Sequence, residues 1–107
     1  MKEIIKKSLK LHKKYGGKLE IKSKVPLKNG VDLCLAYTPG VADVCQKLAN
    51  NSKLARAYTI KGNTVAVITD GSAILGLGNL GALAGLPVME GKAILLKRFA
   101  NVDAFPI

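Results

Sequence analysis

The stretch TVAVITDGS, Thr64 to Ser72, decides the fold. Its first six residues are β-branched or apolar without polar alternation, the pattern of a strand buried on both faces and ending at Asp70. Gly62-Asn63 punctuates it upstream. Downstream, Gly71–Met89 carries no charge over 19 residues. Five glycines, Ser72, Asn79 and Pro87 dilute that segment, so it falls short of a membrane-spanning helix. It predicts buried, closely packed backbone instead. Glu90–Ala100 follows with Ile94, Leu95 and Phe99 on one helical face, and Val102–Ile107 begins another strand. Helix alternating with strand gives an α/β layer architecture.

Working back toward the N-terminus, Ile4, Ile5, Leu9, Leu11 and Tyr15 share one face of a helix over Glu3–Tyr15, and Gly16-Gly17 stops it. Lys18–Val25 alternates apolar and charged residues, predicting a short exposed or edge strand. Thr38-Pro39 reads as a hydroxyl N-cap followed by proline at the first helical position. Val41, Val44, Cys45 and Leu48 then continue at helical spacing. Leu54, Ala55 and Tyr58 predict a second short helix.

At 107 residues the chain allows one domain, residues 1–107. It is 49% hydrophobic and 22% charged, which excludes disorder and collagen-like repeats. The formal charge of +10 is local: residues 1–28 hold ten lysines against Glu3 and Glu20, a net of +8. No aromatic or arginine pattern accompanies the lysines, so a solvated helix face is favoured over specific nucleic-acid recognition. A basic module for nucleic acid or anionic surfaces stays as an alternative, with attraction removed by physiological salt. Cys34, Cys45 and His12 cannot assemble a zinc site, and without a signal peptide the expected compartment is cytoplasmic.

Three features carry chemistry. Gly76, Gly78 and Gly81 match G-x-G-x-x-G, and Asp103 stands near the spacing of a ribose-binding acid. Gly76 does not directly follow the strand, however, and the intervening segment reads as two helices. A nucleotide loop, helix packing and a substrate loop all remain open for it. Tyr37 precedes a helix start and suits either a core edge or an acid. Lys92 falls in the first turn of the predicted Glu90–Ala100 helix, where the dipole favours its neutral form, although an ordinary surface lysine also fits.

Ala36–Ala42 (AYTPGVA), Thr69–Gly81 (TDGSAILGLGNLG), Met89–Ala93 (MEGKA) and Val102–Ile107 (VDAFPI) together resemble the N-terminal part of a malic enzyme of the short bacterial type. The resemblance runs from about Lys18 to Ile107. It implies an N-terminal malic-enzyme-like α/β domain, with helices packed on a small, mostly parallel sheet, truncated before the nucleotide-binding Rossmann domain. It implies oxidative decarboxylation of L-malate to pyruvate and CO2 with NAD or NADP and Mg2+ or Mn2+. By the same resemblance Tyr37 is the general acid and Lys92 the general base, with Lys92, Gly71 and Ser72 at the substrate. The arginine that larger malic enzymes place in the Asp-Gly block is Ala73 here, so the substrate carboxylate must be held from elsewhere. The family's metal carboxylates lie beyond Ile107, and neither metal nor nucleotide is expected on these residues alone. A homodimer or segment-exchanged oligomer is expected, with no membrane partner. A free-standing nucleotide-binding module using Gly76–Gly81 is the remaining alternative.

Overall fold

A computed structural model describes all residues, 1–107. The chain divides into two compact units, Met1–Glu20 with Thr64–Ile107, and Ile21–Asn63.

The first unit opens with α1, Lys2–Tyr15, closed by Gly16 in the left-handed conformation (φ 64°). Glycine adopts that geometry without a Cβ penalty, as the Gly16-Gly17 stop predicts. No residue of α1 is buried, and its apolar stripe of Ile4, Ile5, Leu9 and Tyr15 faces outward. β1, Thr64–Val67, pairs in parallel with β2, Asp103–Pro106, in the register Thr64↔Asp103 to Val67↔Pro106. The ladder continues past both strands: the Ile107 N–H donates to the Val67 carbonyl, and the Thr69 N–H to the Ile107 carbonyl. The expected α/β class is present as one small parallel sheet crossed by a long helix.

That helix is α5, Ala82–Ala100. The sequence predicts its start at Glu90 because Gly85 and Pro87 oppose a helix upstream. Gly85 and Gly91 each cost roughly 1 kcal/mol and Pro87 roughly 3 in a helix interior. Against this, Gly85, Met89 and Ala93 form a buried stripe at four-residue spacing. Met89 (7% exposed) and Ile74 (4%) make up the core together with Ala93 and Ala104. Burying a large apolar side chain contributes about 1.5–3 kcal/mol, the same order as the propensity penalty. Packing therefore carries the helix through Pro87, with little in reserve. The predicted pair of helices is one continuous helix, and the strand expected over Val102–Ile107 is present as β2.

Three further expectations change. Lys18–Val25 forms no strand, because no other strand lies alongside to complete its hydrogen bonds. β1 is not buried on both faces: Val65 and Ala66 within it are exposed, as is Ile68 just beyond it, since a two-stranded sheet under one helix leaves much of the strand uncovered. Of the uncharged Gly71–Met89 segment, Gly71, Ile74, Gly85 and Met89 are buried, whereas Leu75, Leu77 and Leu83 are exposed. Close backbone packing holds at Gly85, where a Cβ would lie 3.0 Å from Ile74 Cδ1 and 3.3 Å from Thr69 Cγ2.

The second unit contains α2, Gly30–Ala36, then α3, Val41–Asn50, and α4, Ala55–Tyr58, with short 3-10 turns at Ser52–Leu54 and Ile60–Asn63. Asn29 caps α2 by accepting the Asp32 N–H on its side chain. Thr38 caps nothing. The residue preceding α3 is Gly40, and Thr38-Pro39 belongs to the turn between two helices. The Gly40 N–H donates to the Cys34 carbonyl, which draws the chain too tightly around that turn for a hydroxyl cap. The short helix predicted around Tyr58 is present as α4.

Candidate functional site

Tyr37 is the corner residue of the second unit. Its N–H closes α2 on the Leu33 carbonyl, and its own carbonyl accepts the Val41 N–H (2.7 Å) to open α3. Backbone bonds to both helices fix the Cα, while the side chain is 64% exposed. A phenol presented this way does not fill a core edge.

In the first unit, β1 delivers the chain to Asp70 and a loop that closes on Gly71. The Gly71 carbonyl accepts the N–H groups of both Leu80 (3.1 Å) and Gly81 (3.2 Å). Gly71 has φ +73°, and a Cβ there would overlap the Gly81 carbonyl, so only glycine lets the loop ends meet. The Gly71 N–H donates to Thr69 Oγ1, and the Ser72 N–H to Asp70 Oδ1, both at 2.9 Å. Donation from the backbone and then the hydroxyl of Ser72 holds the exposed Asp70 carboxyl below the ordinary carboxylate range. Asp70 therefore stays ionised at the C-terminal end of a parallel strand, where α/β units gather their ligands.

Gly76, Gly78 and Gly81 all adopt positive φ, and a Cβ added at any of them would meet nothing within 4 Å. Inside the loop, Ile74 N–H donates to the Gly78 carbonyl and Leu77 N–H to the Ile74 carbonyl. The glycine motif thus forms a turn between β1 and α5, and the helix begins right after Gly81. Asp103 forms an ion pair with Lys97 (2.9 Å) across the α5–β2 junction.

Lys92 is exposed in the middle of α5, next to the fully buried Ala93. It does not occupy the first helical turn, so the dipole argument made for it from the sequence does not apply: the charged N-terminal end lies at Ala82. No three His, Cys, Asp or Glu side chains gather anywhere in the chain, so its residues do not form a metal-binding set by themselves. No helix is long and apolar enough to cross a membrane. An open groove of about 430 Å3 lies at the end of α1, lined by Leu11, Tyr15, Lys18, Glu20 and Ile94 among others, none of them a predicted site residue.

Residues 16–107 match the family model described as the malic enzyme N-terminal domain. The chain belongs to the malic enzyme family. It is 60% identical over 100 residues to the bifunctional malic/malolactic enzyme of Bacillus subtilis, covering 94% of this chain and 24% of that one. It is 59% identical over 92 residues to the NAD-dependent malic enzyme of Geobacillus stearothermophilus, covering 86% and 19%. The crystal structure of malic enzyme from Pyrococcus horikoshii superposes with a TM-score of 0.92 at 57% identity, over 97% of this chain and 25% of that chain. Relatives include both NAD-dependent and NADP-dependent malic enzymes. The chain spans about a quarter or less of the length of these relatives.

Two features of this malic enzyme chain escape sequence reasoning. One is the double acceptor role of the Gly71 carbonyl, for which the only local signal is a glycine directly after the strand-ending Asp70. The other is a contact network joining Lys18 to α5 across 69 and 72 positions. Nothing local announces it.

Proposed function

We propose that this chain forms the substrate-side part of a malic enzyme that oxidatively decarboxylates L-malate to pyruvate and CO2 with NAD or NADP. The family membership over residues 16–107 carries this reading, and Tyr37 and Lys92 stand in the sequence blocks whose resemblance to the family suggests their roles. Lys92 accepts the proton of the malate C2 hydroxyl as hydride leaves C2. Tyr37 donates a proton to C3 of the enol left after CO2 departs. Gly71 and Ser72 lie against the substrate, next to the ionised Asp70. The divalent Mg2+ or Mn2+ of the reaction finds no donor set within this chain, so no step here depends on residues 1–107 holding it. The isolated 107-residue chain is accordingly expected to be catalytically silent. Cytoplasmic location belongs to the same reading.

Self-association is part of the proposal. The chain exposes 9060 Å2. A compact monomer of 11.3 kDa exposes about 5700 Å2, and two separately compact bodies of these sizes about 6900. Exposed apolar side chains include Ile4, Ile5 and Leu9 on α1, Val65 on β1, and Leu75, Leu77 and Leu83. A homodimer, with or without exchanged segments, supplies cover for them.

The test uses the complete enzyme. Tyr37→Phe and Lys92→Ala should each lower kcat by about 10²–10⁴-fold with little loss of folding stability. Wild-type kcat in either purified variant would sink its assignment. Activity regained on mixing the two inactive variants would support sites shared between subunits.

A further inference from the structure

The α5 segment before Lys92 is the least helix-prone stretch of that helix, with Gly85, Pro87 and Gly91 crowded together. The Lys18 contacts fall on this stretch. The Lys18 N–H donates to Glu90 Oε1 at 2.7 Å. Its ammonium donates to the Pro87 carbonyl at 2.7 Å and to His12 Nε2 at 2.6 Å. With the proton on Nδ1, the His12 ring donates to the Ser8 carbonyl at 2.8 Å, so the ammonium is anchored to α1 as well. Gly17 completes the arrangement independently. It has φ +95°, a conformation glycine adopts readily, and a Cβ there would lie 2.8 Å from Glu90 Oε1, so the bare residue 17 leaves the carboxylate room beside the backbone.

One residue thus ties α1 to two successive turns of α5, at the point where intrinsic propensity is weakest and two residues before Lys92. We propose that Lys18 and Glu90 are positioning residues for Lys92, clamping the Pro87–Glu90 turn so that the lysine leaves the helix in a fixed direction. The inference rests on the reading of Lys92 as the general base. Neither clamp residue touches substrate in this scheme. They act through the helix, and a base displaced by about 1 Å loses on the order of 100-fold in rate.

Two measurements decide it. In the 107-residue chain, amide exchange over Met89–Ala93 should accelerate about tenfold in Lys18→Met and in Glu90→Ala, since each removes a charge-assisted bond. Glu90→Gln keeps an acceptor oxygen and should exchange like wild type. In the complete enzyme, Lys18→Met and Glu90→Ala should lower kcat by about 10–100-fold with KM for malate little changed, and Glu90→Gln should recover most of the loss. Should Glu90→Ala fail to fold, Lys18→Met decides alone, because it retains the aliphatic stem and the backbone donor. Unchanged exchange in both variants overturns the clamp. Wild-type kcat in both, beside an inactive Lys92→Ala, overturns the positioning role. A fully active Lys92→Ala refutes the base assignment itself, and the exchange data separate that failure from failure of the clamp.

Discussion

Gly71→Ala should damage the first unit far more than the same change at Gly76, and the difference follows from backbone geometry. Both glycines sit at nearly the same positive φ, +73° and +74°. Alanine therefore pays a similar conformational penalty at each, about 1–2 kcal/mol. At Gly76 nothing lies within 4 Å of the new methyl, so the penalty ends there. At Gly71 the methyl would overlap the Gly81 carbonyl and lie 2.7 Å from the Ala82 nitrogen. These are backbone atoms at the start of α5, and they cannot rotate away as a side chain would. Relief requires opening the loop, which breaks the Leu80 and Gly81 bonds to the Gly71 carbonyl at about 1 kcal/mol each. The expected total is about 3–4 kcal/mol for Gly71→Ala against about 1–2 for Gly76→Ala. Urea unfolding followed by circular dichroism measures both, and amide exchange at Leu80 and Gly81 localises the loss. Equal unfolding midpoints for the two variants would refute the reasoning.

Asp70 supplies a pH prediction. Hydrogen bonds from Ser72 lower its pKa in the folded state, so its stabilising contribution is present above the ordinary carboxylate value of 3.8 and is lost as pH falls through the lowered one. Asp70→Asn should therefore be less stable than wild type near neutrality, and the two urea midpoints should converge in acid; a gap independent of pH would refute the assignment. Light scattering at micromolar concentration should report an assembly larger than 11.3 kDa, and a stable monomer would show that the exposed α1 stripe and sheet need no cover.

The amino-acid sequence by itself determined the elements that depend on neighbours in the chain. The α1 stripe and its Gly16 stop, the run of α3 after Val41, and the β-branched core of β1 are local patterns, and the structure keeps them. Motif blocks spread over most of the chain also carried the family, which the match over residues 16–107 bears out. Tertiary structure decided what local preference opposes or cannot see. The Lys18–Val25 alternation stays strandless because a strand needs a neighbour, and none is there. α5 runs through Pro87 because Gly85, Met89 and Ala93 bury one stripe against the sheet and Ile74, a gain that no propensity scale contains. That continuity moves Lys92 from a helix start to a helix middle, so its setting depends on residues far away in the chain. Glu90 meets the backbone of Lys18 only after the chain has folded back across 72 positions, where Gly17 leaves room for the carboxylate.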